Sequence, residues 1–281
     1  MNTRIAPSPT GLIHLGNIRT AYHNYLAAKS SGGKFILRID DTDLSRNKPE
    51  YIDKIVETLE WLGLNPDESY KQSHRFGLYE ALALKLRVEN KAKIENGATI
   101  LDARDFLPDE WIDEICGQIK VSYREKEIAA KIVLIKSDGS PGYNFCSIVD
   151  DCLLGVTDVI RGNDHISNTA KQLAIMRALG YERKLKFHHE GLIFQNSRKL
   201  SKREQTGDLD YYIQKGFSPQ AILNWILRLG WSHPDPEFDR RYPIIPKDLA
   251  IQIFHEGKLK SSNCSLDFKK LEWYDKKYKK P

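Results

Sequence analysis

The chain has 281 residues, of which 43 are basic and 38 acidic, for a formal net charge of +5. This mild excess permits contact with nucleic acid without demanding it, and the length suffices for one large domain or two modest ones. The four cysteines include no C-x-x-C pair, and no apolar run approaches the ~20 residues of a membrane span or the core of a signal peptide. We therefore expect a reduced, cytoplasmic, soluble protein, with a monomer as its simplest state.

The first predicted elements are a strand around residues 4–5 and a helix through residues 21–28, joined by a turn rich in proline and glycine. The start of such a helix is an anion site, because free backbone N–H groups and the positive end of the helix dipole face it. Gly16 lets a phosphate approach the backbone, and His14 can donate to its oxygens. The pattern predicts a nucleotide phosphate site, although a plain structural turn fits it equally well.

The next predicted strand covers residues 34–40, and its apolar centre predicts a parallel α/β sheet covered on both faces. Ligands bind at the carboxyl ends of such strands, where Asp40, Asp41 and Asp43 lie. Alternation along the strand puts Asp40 on the face of Arg38 and the other two acids on the opposite face. We expect Asp40 to face the ligand and the opposite face to bond a helix start, with simple bracing of a turn as the alternative.

Pro49 begins a strongly amphipathic helix that Gly63 ends. From residue 67 to residue 130 the pattern changes to a helix around residues 79–95, an ambiguous segment and a charged run. We interpret this part as an insertion into the sheet domain.

Sheet character returns at residues 131–136 and, after a turn, continues through a predicted strand at residues 143–149. Asp150 and Asp151 follow it, and we expect them to cap and turn the chain rather than to bind a metal ion. A further strand at residues 156–161 leads through Gly162–His165 into a helix, which we interpret as a second wall of the same pocket. His188 and His189 are strand neighbours that face opposite sides and cannot share one ion.

The segment Lys199-Leu-Ser-Lys202-Arg203 forms a basic loop after a strand-like run. Such a loop can neutralise the charge that develops on a triphosphate under attack, and a solvated surface loop is the alternative. Two short helices are predicted at residues 208–212 and 219–230. The basic and aromatic residues near the end fit either nucleic-acid contact or a frayed terminus.

Together the His14 and Lys199 stretches resemble the HIGH and KMSKS signatures of class I aminoacyl-tRNA synthetases. Residues 7–11, 37–43 and 159–162 are specifically similar to glutamyl-tRNA synthetases, and the similarity runs to about Trp273. The resemblance implies an α/β fold with a Rossmann-like parallel sheet, and a form truncated before the anticodon-binding domain of full-length members. Its implied parts are a discontinuous catalytic domain at 1–66 and 131–206, a shortened acceptor-binding insertion at 67–130, and a helical stem-contact region at 207–281.

The resemblance implies activation of L-glutamate by ATP, with Mg²⁺, and transfer of the glutamyl group to tRNA. The implied catalytic residues are His14, Gly16, Lys199 and Lys202. The implied ATP-binding residues are His14, Gly16, Asn17, Asp164, Leu192, Ile193, Lys199 and Lys202. The implied glutamate-binding residues are Arg4, Ala6, Ser8, Asp40, Tyr143, Ser147 and Arg161. No protein-held metal is expected, and because Cys116 stands alone we expect no structural zinc.

Three positions depart from the family pattern: Asp40 replaces a glutamate, Ser147 an asparagine that is common there, and Asn163 a glutamate. Two alternatives therefore stay open. One is transfer of activated glutamate to a modified nucleoside of the glutamyl-queuosine type, or to another non-ribose acceptor. The other is a synthetase-like protein that binds RNA or nucleotide without catalysis.

Overall fold

The computed structural model describes residues 1–195, 198–200 and 205–279, with Lys199 and Gln205 described by their backbone alone. The strands are β1 Thr3–Ile5, β2 Phe35–Ile39, β3 Glu68–Lys71, β4 Ala92–Glu95, β5 Ala98–Asp102, β6 Glu110–Asp113, β7 Gly117–Lys120, β8 Lys131–Ile135, β9 Asp158–Gly162, β10 Lys186–Glu190, β11 Ile193–Gln195, β12 Arg198–Lys199, β13 Trp231–Ser232, β14 Lys258–Leu259 and β15 Cys264–Ser265. The helices are α1 Leu15–Ser30, α2 Pro49–Trp61, α3 Phe76–Val88, α4 Tyr123–Ala129, α5 Tyr143–Leu153, α6 Ile166–Leu179, α7 Leu209–Gln214, α8 Pro219–Leu227, α9 Phe238–Arg241, α10 Lys247–Ile253 and α11 Phe268–Tyr278. None of the described helices is both long and apolar enough to cross a bilayer.

Two largely parallel groups of strands form the centre of the fold. One has the order β1-β2-β3 with both pairs parallel, and the other has the order β7-β6-β10-β9, in which β6, β10 and β9 are parallel. The groups adjoin along β1 and β9, because the Asn2 carbonyl accepts hydrogen bonds from the N–H groups of Thr157 and Asp158 at 2.8 and 3.2 Å. The predicted α/β fold with parallel strands is confirmed.

Helix α1 packs into the larger of two apolar cores. Its buried face meets the C-terminal helices α8, α10 and α11 through side chains such as Tyr22, Leu26 and Trp225. Arg19 is also buried in this core, where its guanidinium donates to the Gly191 carbonyl at 2.6 Å and the Leu229 carbonyl at 3.2 Å. The second core lies around α3, α5 and α6.

The segment predicted as a strand at residues 143–149 is instead the first part of α5. Every residue from Phe145 to Cys152 is buried, and a helix that is buried on all sides has no periodic pattern to distinguish it from a buried strand. Gly142 precedes the helix, and a Cβ there would lie 2.3 Å from the Val133 carbonyl oxygen, so the chain passes too close to β8 for any side chain. Asp150 and Asp151 consequently lie within a helix and are fully buried, which makes their predicted capping role wrong.

The helix predicted around residues 79–95 ends earlier, at Val88, and a β4–β5 hairpin follows. The reason is local backbone geometry: Asn96 and Gly97 at the hairpin turn have φ values of 49° and 79°, which suit a tight two-residue turn. Residues 67–130 begin with β3, which pairs with β2 and so extends the N-terminal sheet. The division of the chain into domains stays a prediction.

The C-terminal basic and aromatic segment forms helix α11, which packs against α8 with Leu271 and Tyr274 buried. Fraying therefore does not describe residues 268–278. Contact of this helix with nucleic acid stays a prediction.

Candidate active site

The segments that follow the central strands meet at one edge of the fold. β1 and β2 run side by side, and past their ends the Asp40 N–H donates to the Pro7 carbonyl at 3.0 Å. Arg161 approaches this edge near the end of β9, and the Arg4 Nη1 donates to the carbonyl of Ile160 at 3.4 Å. The predicted residues that lie at this edge are Arg4, Ala6, Ser8, Asp40 and Arg161.

His14 caps the start of α1. Its Nδ1 accepts the Gly16 N–H at 3.1 Å, and its carbonyl accepts the N–H groups of Asn17 and Ile18 at 2.8 and 3.1 Å. A Cβ at Gly16 would lie 3.2 Å from this Nδ1, so glycine leaves room for the imidazole. With Nδ1 accepting, a neutral His14 carries its proton on Nε2. The phosphate-binding roles of His14, Gly16 and Asn17 stay predictions.

The segment after the predicted basic loop pairs with the start of α1. Lys202 lies outside the described residues, as does the side chain of Lys199. The flanking Leu200 is buried in the same core as α1, and Asp208 forms an antiparallel backbone bridge with His14. The chain that follows the predicted KMSKS-like loop is therefore held at the start of α1, and a position of the loop itself at the phosphates stays a prediction.

A buried cluster of charges lies beneath the strand ends. Arg4 donates to both carboxylate oxygens of Asp151, at 3.0 and 3.3 Å. Arg38 donates to both oxygens of Asp40, at 2.6 and 3.0 Å, and also to Asp151 at 2.7 Å. Burial alone would raise the pKa of Asp151, but Arg4 and Arg38 hold it below its ordinary value. Burial raises the pKa of Asp40 despite the opposing charge of Arg38.

Arg161 differs from these arginines, because within the described parts of the chain its hydrogen-bond partners are neutral. Its Nε donates to His189 Nε2 at 3.0 Å, and its Nη2 donates to Thr169 Oγ1 at 2.8 Å and to Gln172 Oε1 at 2.9 Å. Its Nη1 is buried and has no hydrogen-bond partner among those residues. Burial, reinforced by the positive charges of Arg4 and Arg38, lowers the pKa of Arg161 to about 10, so it remains charged at neutral pH.

Two predicted glutamate-binding residues lie on α5. Ser147 is buried and accepts from Arg38 through both its hydroxyl, at 3.1 Å, and its carbonyl, at 3.0 Å. Tyr143 lies at the start of the helix, with its hydroxyl 3.2 Å from His165 Nδ1. Burial and the charge of Arg161 lower the pKa of His165 to about 4, so this imidazole is neutral at pH 7. Ser147 therefore braces the charge cluster, and Tyr143 lies near Arg161.

The remaining predicted ATP-binding residues follow β9 and β10. Asp164 lies in a short 3₁₀ turn after β9 and is exposed, and the neighbouring Asn163 donates to the Ser261 carbonyl at 3.5 Å. The Leu192 N–H donates to Asn263 Oδ1 at 2.9 Å, and the Ile193 carbonyl accepts the Leu200 N–H at 3.0 Å. These backbone groups thus already bond to the protein, and their contact with adenine stays a prediction.

Several residues that build the site were missed by sequence reasoning. Asp151 was considered only as a cap, because the helix that carries it was predicted as a strand. His189 was noticed only as part of the His188–His189 pair, where a shared metal ion was rejected. The other residues around Arg161 gave no signal, since each is an ordinary polar residue of a helix or strand; they are Asp113, Thr169 and Gln172.

Cys116 lies next to the site, where its thiol donates to the His189 carbonyl at 3.4 Å. The part of the chain that the structure describes contains no group of three or more histidine, cysteine, aspartate or glutamate residues able to hold a metal ion.

Comparison with known proteins identifies similar chains along almost the whole sequence. Residues 1–97 and 104–273 match the family described as tRNA synthetases class I (E and Q), catalytic domain. The chain is 40% identical to glutamate–tRNA ligase 1 of Campylobacter hominis and 35% identical to glutamate–tRNA ligase of Francisella tularensis, over 98% and 99% of its own length. It spans 66% of the length of each of these relatives.

A solved structure shares the same arrangement of elements. It is the crystal structure of a glutamate tRNA ligase from Elizabethkingia meningosepticum in complex with its amino acid, at a TM-score of 0.86 and 27% identity. The match covers 99% of this chain and 69% of that one.

Proposed function

The chain belongs to the family of class I tRNA synthetase (E and Q) catalytic domains, and we propose that it activates L-glutamate with ATP and transfers the glutamyl group to tRNA. The relatives named above are glutamate–tRNA ligases, which supports this activity. The arrangement of charges at the strand ends supports glutamate as the amino acid.

The observation that carries the proposal is the charge environment of Arg161. A buried guanidinium without a carboxylate is costly, and a ligand that supplies the missing charge removes that cost. Among the described residues, Arg4 and Arg38 already have acidic partners, whereas the Nη1 of Arg161 has none. The side-chain carboxylate of glutamate has the required charge, and a carboxylate accepts strong hydrogen bonds from a guanidinium. Glutamine has no such charge and would leave the guanidinium unpaired.

The chemistry requires positioning and charge stabilisation rather than a protein nucleophile. The α-carboxylate of glutamate attacks the α-phosphorus of ATP, the bond to the β-phosphate oxygen breaks, and pyrophosphate leaves glutamyl-adenylate behind. A ribose hydroxyl at the tRNA end then attacks the acyl carbon, and AMP leaves. In this proposal the α1 start with His14 and Gly16 holds the phosphates, Lys199 and Lys202 offset the developing charge, and Asp40 faces the ammonium group.

Mg²⁺ would accompany ATP rather than occupy a protein cage. Magnesium usually keeps water ligands and binds through substrate phosphates with few protein carboxylates. When bound, Mg²⁺ would neutralise part of the negative charge of the ATP phosphates.

The alternative acceptor, a modified nucleoside, gains no support from the relatives, which are named as tRNA ligases. Labelled glutamate that remains on tRNA after mild alkali would nevertheless favour it, because an ester to the terminal ribose is labile. For a non-catalytic binder, a biological effect that persists in Lys202→Ala would be decisive, since it could not depend on adenylate chemistry.

Pyrophosphate exchange with each of the twenty amino acids, with and without tRNA, tests the proposal. We expect exchange with glutamate and little with glutamine. Arg161→Met should weaken use of glutamate by roughly 2–5 kcal/mol, the cost of truncating one partner of a buried charge pair. The matched control is Arg177→Met, which changes an exposed arginine of α6 and should leave exchange intact. Lack of exchange with glutamate under every condition would refute the activity.

A further inference from the structure

Arg161 is the end of a chain of buried hydrogen bonds that begins outside the predicted catalytic segments. Asp113, at the end of β6, lies 2.7 Å from His189 Nδ1, and His189 Nε2 accepts the Arg161 Nε–H at 3.0 Å. All three side chains are buried, with 1%, 0% and 6% of their surfaces exposed. Asp113 belongs to residues 67–130, which the sequence assigns to an insertion.

The direction of each hydrogen bond fixes where the proton of His189 lies. Arg161 can only donate, so His189 Nε2 must be the proton-free acceptor, and the proton of the neutral imidazole must be on Nδ1. The Asp113 carboxylate accepts a hydrogen bond from this Nδ1–H. It also accepts hydrogen bonds from the backbone N–H groups of Ile115 and Cys116, at 3.0 and 2.7 Å. A carboxylate surrounded by donors stays ionised: burial would raise its pKa, but these bonds and His189 hold it below the ordinary value.

The imidazole is also held mechanically and kept uncharged. Its ring stacks on Phe187 at a centroid distance of 6.3 Å and an angle of 7°, and the Trp111 ring packs against its edge at 5.6 Å. Burial lowers the pKa of His189, and Arg161 adds to this effect against the opposing influence of Asp113. A charged imidazole would carry a proton on Nε2 and direct that N–H at the guanidinium. The observed hydrogen bond from Arg161 to Nε2 therefore requires a neutral His189.

The hydrogen bonds to His189, Thr169 and Gln172 leave one nitrogen of the Arg161 guanidinium without a partner among the described residues. With Nε bonded to His189 and Nη2 bonded to Thr169 and Gln172, Nη1 is the part of the guanidinium left for another acceptor. We propose that Asp113 and His189 are positioning residues, which orient Arg161 so that Nη1 meets the side-chain carboxylate of glutamate. This inference rests on the proposed function, because that function names the carboxylate.

The test is Asp113→Asn, measured as the KM values for glutamate and ATP in pyrophosphate exchange. An asparagine can donate to Nδ1 and thereby favour the other tautomer, which places an N–H of His189 against the Nε–H of Arg161. We expect the KM for glutamate to rise about 10- to 100-fold, as for loss of a hydrogen bond to a charged group, while the KM for ATP stays unchanged.

The neighbouring pair His188 and Asp158 provides a matched control. His188 Nε2 lies 2.9 Å from the buried Asp158 carboxylate. Neither residue is among the described hydrogen-bond partners of Arg161, and His188 faces the side of β10 opposite to His189. Asp158→Asn therefore removes an equivalent histidine–carboxylate bond and should leave the KM for glutamate unchanged. An equal rise in both variants would mean that the effect is general loosening, and it would overturn the inference.

His189→Gln supplies the rescue test. A glutamine oxygen can accept from Arg161 without depending on a tautomer, so adding Asp113→Asn to this variant should produce no further rise in the KM for glutamate. An undiminished additional rise would refute the tautomer argument. If Asp113→Asn does not fold, ¹⁵N NMR of wild-type protein at neutral pH still decides: the proton of His189 must be on Nδ1, and a proton on Nε2 overturns the inference. Wild-type protein without glutamate exchange would instead refute the proposed function.

Discussion

The arginines at the strand ends are in two contrasting environments. Arg4 and Arg38 share the carboxylates of Asp40 and Asp151, so their charges are neutralised by the protein itself. Arg161 is equally buried, yet among the described residues it bonds only neutral groups, and its guanidinium carbon lies 5.7 Å from the centre of the Phe187 ring. Burial alone therefore does not distinguish the two environments, whereas the charge of the hydrogen-bond partners does.

The two environments predict opposite effects of arginine or carboxylate removal on the stability of the folded protein. Removing one member of a buried ion pair leaves the other charge uncompensated, which is strongly destabilising. Removing a buried charge that has no counter-ion relieves a cost that the folded protein already bears. The following predictions test this difference, beginning with the largest effect.

Asp151→Asn should lower the free energy of unfolding by about 3–5 kcal/mol, because Arg4 and Arg38 both lose their shared carboxylate. Urea denaturation followed by circular dichroism measures the change. The control is Asp239→Asn, whose partner Arg228 lies near the surface and whose own side chain is 73% exposed, so little change is expected there. A small effect of Asp151→Asn would show that the cluster is not structural.

The histidines near Arg161 should make the protein less stable as the pH falls below neutrality. The pKa of His165 is lowered from 6.5 to about 4 by burial and by Arg161, so between these values the unfolded chain binds more protons than the folded one. The free energy of unfolding should fall there by at most about 1.4 kcal/mol per pH unit for this group. Denaturation at several pH values measures the slope, which should be shallower in Arg161→Met. An equal slope in that variant would mean that Arg161 does not influence the histidines.

Arg161→Met should leave the free energy of unfolding unchanged or raise it slightly, although we expect it to weaken the proposed use of glutamate. The reason is that, among the described residues, no carboxylate is hydrogen-bonded to this guanidinium, and Asp151, which interacts with it at longer range, keeps Arg4 and Arg38 as partners. Thermal unfolding without ligand gives the comparison with Asp151→Asn. A loss as large as that of Asp151→Asn would assign Arg161 to the structural cluster and remove the contrast between the two environments.

Much of the fold follows from local sequence signals. The first strand, the glycine-rich approach to α1, the Pro49 helix and the parallel β1–β2 pair all have caps, breakers or periodic apolar positions that act over a few residues. The error at residues 143–149 has a different cause: an apolar run of that length satisfies both periods, and only packing against β8 and α6 selects the helix.

The site divides in the same way. The residues next to the predicted phosphate site are contiguous in sequence, so their grouping around His14 was predictable. The environment of Arg161 combines Asp113 from β6, His189 from β10, and Thr169 and Gln172 from α6. The proximity of Asp113, His189 and Arg161 is a property of the parallel strand order β6-β10-β9 and not of any sequence spacing.

The buried side chain of Arg19 has a consequence for how the protein is made. Its carbonyl acceptors lie at residues 191 and 229, and the apolar partners of α1 include α8 and α11. A ribosome releases α1 early and these segments late, so the helix leaves the exit tunnel well before the groups that will cover it exist. Until then the guanidinium stays hydrated, and nascent α1 can present its apolar face to chaperones. Closure of the larger core thus has to wait until the segments from residue 191 to α11 have been synthesised.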